Sequence, residues 1–391
     1  VKITLKSWYK NILVVALSTL LTLFIAEIAL RVISPHDQFS SLLPNLDAVQ
    51  YNRYYNYFPG IDSVFHITVN ESGYRSPSTF GLDRYGILTI GGSTTHCVGL
   101  SDVDSWPWLL ENKLNQNSHQ KYTVGNIAAL GHHSGNHLLQ LKHMEPQFEN
   151  IKMVLILVGI NDFRRFFISD THYTPTSQDK HLFNRTFLQY PIEFAEEWYQ
   201  KTELWLNIRD ARNTYKNIKN SNKNHDLDEL TKRYNTARQG VDLMVKKYDS
   251  SKKTDELVDI TEAVKDFETN LKEIVSIAHN RNIKPVFITQ PTLWNENMSK
   301  YEEKIAAYSS PQVNGAFLSP NAMEIGLELF NNKLREISKQ DNVELIELAL
   351  HLPKDTSVFF DDCHFNKSGS AKVASFVYTE LTELLNKDAR N

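Results

Sequence analysis

Short, mostly apolar runs alternate along this chain with stretches of helical periodicity, and that alternation restricts its fold more than any other feature. The runs are Ile87–Ile90, Tyr122–Val124, Met153–Val158, Pro285–Ile288 and Val343–Ile346. Between and after them, Trp106–Leu114, Asn136–Phe148, 257–279, 322–338 and 367–385 carry apolar residues at helical spacing. A strand that is apolar at successive positions is buried on both faces, as in a parallel sheet covered by helices. Strand–helix alternation predicts a three-layer α/β/α domain, with the strand carboxyl ends gathered at one edge by right-handed crossovers. Ligands bind in the crevice beyond that edge. Ser93, Gly131 and Asn161 each come just after one of the runs.

The other candidate classes are excluded by charge and composition. A formal charge of −4 gives no electrostatic case for nucleic acid. With 20 Phe, 17 Tyr and 6 Trp the chain has the material for a core. Its two cysteines, Cys97 and Cys363, make no disulfide scaffold and lack zinc-site spacing.

The amino-terminal end reads differently. Lys2, Lys6 and Lys10 precede Ile12–Ile33, interrupted only by Ser18, Thr19, Thr22, Glu27 and Arg31. As a helix this segment is about 33 Å long, enough for a bilayer core. The lysines favour a cytoplasmic amino terminus, which places the chain beyond Arg31 on the outer side. Phe24–Ala29 offers no good small-residue processing pattern, so the reading is an uncleaved signal anchor over residues 1–34, spanning at about 12–33. Glu27 and Arg31 lie one turn apart near the outer interface, where pairing or snorkelling accommodates them. Localisation is accordingly single-pass, with the main domain periplasmic or otherwise extracytoplasmic.

Residues 35–84 form a juxtamembrane collar with one alternating strand pattern at Val64–Val69. Residues 166–255 interrupt the alternation with charged helical patterns at Phe194–Ile218 and Leu227–Tyr248. They read as a helical insertion whose Trp198, Trp205, Tyr215 and Tyr234 form its own core, with a substrate-gripping or partner-docking surface as the alternative. Lys246, Lys247, Lys252 and Lys253 read as a solvated loop.

Four blocks converge on chemistry: Gly91-Gly92-Ser93, Asn126–Gly131, Gly159-Ile160-Asn161-Asp162, and Asp361-Asp362-Cys363-His364 at the head of the last helix. In order and spacing they resemble the SGNH (GDSL-type) hydrolase family over residues 86–165 and 256–386. The implied catalytic domain comprises 85–165 and 256–387, with an SGNH or flavodoxin-like sheet. The resemblance implies Ser93 as nucleophile, His364 as general base and Asp361 as its orienting acid. Ser93 and Gly131 N–H groups with the Asn161 amide would form the oxyanion hole.

The chemistry needs these types. A serine hydroxyl is a poor nucleophile until an imidazole takes its proton. Preorganised neutral donors reduce the barrier to an oxyanion by about 2.7–4 kcal/mol each. An aspartate fixes the tautomer that leaves Nε2 free. Asp362 adjoins Asp361, and the choice of Asp361 rests on the resemblance. The chain departs from the family pattern at Gly92, where an aspartate is common.

His132, His133, His137 and His143 lack a metal-site companion and read as solvated or cleft histidines, so no metal or cofactor is expected. If the triad forms, Cys97 and Cys363 lie on neighbouring loops, where an oxidising compartment would permit a disulfide. The four Asn-x-Ser/Thr triplets are discounted, since the one at Asn366 adjoins the expected base.

These observations predict a membrane-anchored serine esterase or acyl-transfer enzyme. Its expected substrate is an ester on cell-surface carbohydrate, O-acetyl groups in the first instance; lipid esters come next, and a membrane protein is an expected partner. Pro291–Pro320, with Trp294, Tyr301, Tyr308 and Phe317, reads as a cleft wall or a structural lid. An O-acyltransferase for exported polysaccharide and a non-catalytic assembly factor on the same scaffold are the alternatives.

Overall fold

The computed structural model describes residues 2–33, 37–52, 57–116, 118–168, 173–195, 197–223 and 227–388. These fall into two compact units, one made of Val1–Phe39 with Gln189–Asn222 and one made of Ser40–Leu188 with Lys223–Asn391. The expected insertion, 166–255, is thus divided between them, and the expected collar lies almost wholly in the larger unit.

The smaller unit contains α1 (Lys2–Ile33), within which Trp8–Ile33 is long and apolar enough to cross a membrane. It also contains nearly all of a helix that begins at Glu203 and ends at Lys223.

The larger unit is built on a sheet. It starts with an antiparallel pair, β1 (Asp47–Tyr51) and β2 (Val64–Thr68), the first of which the sequence did not signal. Then come β3 (Arg84–Gly91), α2 (Ser93–His96), α3 (Trp106–Asn115), β4 (Lys121–Asn126), α4 (Ser134–His143), β5 (Ile151–Leu157), α5 (Ile160–Ile168) and α6 (Leu182–Thr186). The helix at Glu203–Lys223 is α7. The chain continues through α8 (Leu227–Ser250), β6 (Lys253–Thr254), α9 (Thr261–Asn280), β7 (Lys284–Ile288), α10 (Lys300–Ala306), β8 (Gln312–Val313), β9 (Ala316–Leu318), α11 (Pro320–Asp341), β10 (Glu344–Ile346), α12 (Leu348–His351) and α13 (Lys367–Asp388).

The central sheet is parallel throughout, in the order β10-β7-β5-β3-β4. Helices α3 and α13 pack together as one layer, and α4, α9 and α11 as another. Ile87, Leu88, Val154, Leu155, Ile156, Val286, Phe287 and Ile288 are wholly buried, as two-sided strands require. Each such side chain contributes about 1.5–3 kcal/mol by leaving water. The chain leaves β3 toward β4 on one side and later builds β5, β7 and β10 on the other. The crevice above the ends of β3 and β5 is therefore the topological switch point.

The helix expected over Asn136–Phe148 is shorter than its pattern. It ends at His143, and Glu145–Gln147 forms a single 3-10 turn around Pro146, which cannot continue the helical ladder. A small sheet, β6-β9-β8, ties the end of the insertion to the segment after β7. There Tyr248, Ala307 and Phe317 form a buried cluster, while Tyr301 is exposed and the Tyr308 side chain lies outside the described residues.

The aromatic residues expected to be the insertion's core are largely on its surface. Trp198 is 81% exposed, and Trp205 and Tyr215 are also exposed. The inward face of α7 is carried instead by Leu206, which is fully buried. The Tyr234 side chain lies outside the described residues.

Candidate active site

β3 ends at Gly91, and the chain turns into the single turn of α2 with Ser93 as its first residue. The backbones and the Asn161 amide approach closely at Gly92: a Cβ there would lie 2.3 Å from Asn161 Nδ2 and 3.1 Å from the His132 carbonyl oxygen, so a side chain would have to displace that amide. The turn closes with Cys97 in the left-handed region at φ 57°, an uncommon conformation for a residue with a Cβ.

Two loops are drawn against this turn. The Ala129 N–H donates to the Gly91 carbonyl at 3.3 Å, which fixes the loop carrying Gly131. Gly131 has φ +74°, and a Cβ there would meet open space, so the backbone conformation and not crowding favours glycine. Asn161, at the start of α5 after β5, donates its amide to the His132 carbonyl at 2.8 Å. The amide plane is thereby oriented, and Asn161 and the Gly131 loop meet beside Ser93.

The last block arrives from the loop before α13. His364 Nε2 lies 2.7 Å from Ser93 Oγ, and its Nδ1 lies 2.7 Å from Asp361 Oδ2. Asp361 Oδ1 accepts the backbone N–H groups of His364 at 2.8 Å and Cys363 at 3.0 Å. Phe360 stacks on the imidazole with ring centroids 5.5 Å apart. Burial opposes a charged imidazolium, but the Asp361 carboxylate outweighs it and raises the His364 pKa well above its usual value. Burial likewise opposes the Asp361 carboxylate, yet the facing imidazole and the two backbone donors hold its pKa low.

Asp362 points elsewhere. It pairs with Arg164 and accepts Ser309 Oγ at 2.6 Å, with its own side chain almost fully buried. Arg164 also lies over the buried Trp294 ring. Neither Arg164 nor Ser309 carried a sequence signal. Arg164 is one helical turn past Asn161, but its partner is nearly two hundred residues away.

A third carboxylate, Asp162, joins the segment after Gly131 to the segment that carries Asn161. It accepts the Ser134 hydroxyl at 2.5 Å and the Ser134 N–H at 3.1 Å, binding the start of α4 to the start of α5. Burial pushes its pKa up to about 7. Arg75 and Asp102 form a buried pair against the turn that carries Ser93. Arg75 donates to the His96 carbonyl, while Asp102 accepts Thr68 from β2, so the collar braces this turn.

The disulfide considered between Cys97 and Cys363 is not formed. Both are buried free thiols with different neighbours, Cys97 donating to the Thr94 carbonyl at 3.6 Å and Cys363 lying 3.7 Å from His364 Nδ1. His132, His133 and His137 are buried rather than solvated or cleft-lining, and burial pushes their pKa values down. His133 caps α4 by accepting the Gly135 N–H. Asp361, Asp362, Cys363 and His364 bring ligand atoms within 4.8 Å of one another. Arg164 already supplies a cation to Asp362, and burial raises the Cys363 thiol pKa, so this donor set is poorly suited to a metal.

No family model and no curated protein matches the chain. Among solved structures it is similar to the psychrotrophic esterase EstA from Pseudoalteromonas sp., at 14% identity and a TM-score of 0.39, covering 77% of this chain and 98% of that one. TesA is similar at 13% identity and a TM-score of 0.41, covering 76% and 99%. An acetyl xylan esterase, AlAXEase, is similar at 12% identity and a TM-score of 0.40, covering 76% and 99%. At these values the neighbours' activities remain statements about the neighbours.

Proposed function

We propose that the chain is a membrane-anchored, extracytoplasmic serine ester hydrolase of the SGNH kind, with Ser93 as nucleophile, His364 as base and Asp361 as orienting acid. The observation that carries this reading is the continuous relay from Ser93 Oγ through both ring nitrogens of His364 to Asp361, each gap 2.7 Å. The order and spacing of the four sequence blocks support it independently.

In this mechanism Ser93 Oγ attacks the ester carbonyl carbon as His364 Nε2 takes the hydroxyl proton. The carbonyl oxygen becomes an oxyanion facing the Ser93 and Gly131 N–H groups and the Asn161 amide. Collapse breaks the ester C–O bond, and His364 gives its proton to the departing alcohol. His364 then takes a proton from water as the water oxygen attacks the acyl carbon; collapse breaks the bond to Ser93 Oγ, which takes that proton back from His364 as the acid leaves. A sugar hydroxyl in place of water makes the same site an acyltransferase.

O-acetyl groups on cell-surface carbohydrate are the proposed substrate, and the apolar helix α1 is the proposed anchor, with its amino terminus cytoplasmic. A fluorophosphonate probe tests the nucleophile: labelling of the full chain that is abolished by Ser93→Ala supports the reading, and unchanged labelling refutes it. Hydrolysis and transfer are separated by supplying an acetyl ester with and without an oligosaccharide acceptor.

A further inference from the structure

Within the smaller unit, α1 changes its surroundings partway along. From Trp8 to Ile25 every residue is exposed, whereas Ala26, Glu27, Ala29 and Leu30 are partly covered. The cover comes at least in part from the start of α7. Glu27 accepts the backbone N–H groups of Glu203 at 3.1 Å and Leu204 at 3.0 Å, and also pairs with Arg31. A carboxylate thus caps a helix amino terminus, satisfying donors that would otherwise need water. Beyond this cover Ile28 and Arg31–Ile33 are exposed again, and Trp8–Ile33 as a whole is long and apolar enough to cross a hydrocarbon layer of about 30 Å.

Aromatic residues stand at both ends of the exposed stretch from Trp8 to Ile25. Trp8 and Tyr9 are exposed at the inner end and meet edge to face. At the other end, Trp198, Tyr199 and Trp205 form a chain of edge contacts 5.9 and 5.1 Å long, beside the very turn that Glu27 caps. Trp205 begins an exposed stripe on α7 that continues through Ile208, Arg212 and Tyr215 at helical spacing. Indole and phenol rings favour the headgroup level, where an apolar body and a polar tip are both accommodated, and an arginine there snorkels.

Resting on the membrane-anchor reading above, we infer that Trp198, Tyr199 and the exposed face of α7 form a lipid-binding platform in the headgroup layer of the membrane that α1 crosses. The outer boundary of the hydrocarbon then meets α1 near Ala26–Glu27, not at Ile33 as the apolar run alone suggests. Glu27 then lies at the interface. The occupant is phospholipid, because the patch adjoins, in its own unit, a helix long and apolar enough to cross a membrane.

The test uses the full chain in phosphatidylcholine vesicles whose acyl chains carry bromine either near the headgroup or near the methyl end. Emission of the parent protein is compared with W8F and with W198F/W205F, and α1 insertion is read separately by flotation and by quenching of the Trp8 component. The expected result is that the component lost in W198F/W205F is quenched more by shallow bromines than by deep ones, and is shielded from aqueous iodide. If Trp8 is quenched while that component responds only to iodide, the anchor stands and the platform is refuted. If it is shielded from iodide and from both bromines, protein covers the patch and the inference is likewise refuted. If the chain neither floats nor shows Trp8 quenching, the anchor reading fails and takes the platform with it. Because Trp198 is 81% exposed, W198F alone provides a variant that disturbs little packing.

Discussion

Asp361 and Asp362, neighbours in sequence, face opposite partners: Asp361 holds the His364 imidazole at 2.7 Å, while Asp362 pairs with Arg164. One carboxylate holds the proposed base and the other fastens the loop that carries it. Their division of labour separates effects on catalysis from effects on stability.

His364 acts as a base only when neutral, and Asp361 holds its pKa well above the usual histidine value. The acidic limb of kcat/KM is therefore expected to rise through a pKa above about 6.5. Asp361→Asn removes the stabilising charge, so the limb moves toward lower pH while kcat falls by about 10⁴. A limb unmoved by that substitution contradicts the assignment.

Asn161→Ala deletes one expected oxyanion donor. A loss of about 10²–10³ in kcat with KM nearly unchanged is expected from steady-state kinetics on a soluble acetyl ester. Gly92→Ala places a methyl against the same amide and is expected to lower kcat in the same manner, without removing any catalytic group.

Arg164→Met leaves Asp362 buried without its cation, and a stability loss of about 3–5 kcal/mol is expected in denaturant unfolding. The double variant Arg164→Met/Asp362→Asn should recover part of it. Equal destabilisation in the single and double variants would show that the pair is not what holds this loop.

Asp162 has a folded-state pKa of about 7, above its unfolded value, so the native state binds the extra proton between those values. Its contribution to stability is then present at low pH and is lost as pH rises toward and through about 7. Asp162→Asn cannot ionise and keeps acceptor capacity for Ser134. It is expected to flatten that decline and to be more stable than the parent at pH 8, by a few kcal/mol at most. Thermal unfolding across pH 5–8 measures both.

The residues at the strand ends were legible because their placement depends on local chain order. An apolar run too short for a helix must be a strand, and Ser93, Gly131 and Asn161 then fall at one sheet edge. The supporting residues were not legible. Nothing near Arg164 indicates that it will meet Asp362, and nothing in Arg75 or Thr68 foretells a brace on the nucleophile turn through Asp102. Those meetings are set by packing between distant segments, which leaves no periodicity. The insertion's tryptophans misled for a related reason. Spacing reports a helix face, but it does not report whether that face meets protein or something outside it.

The shortest route to the central claim is intact-mass measurement of the full chain after exposure to a fluorophosphonate. The account predicts one phosphonyl adduct on the parent, none on Ser93→Ala, and strongly slowed addition on His364→Ala. An adduct that survives in Ser93→Ala, or a folded parent protein that takes up none, would contradict it.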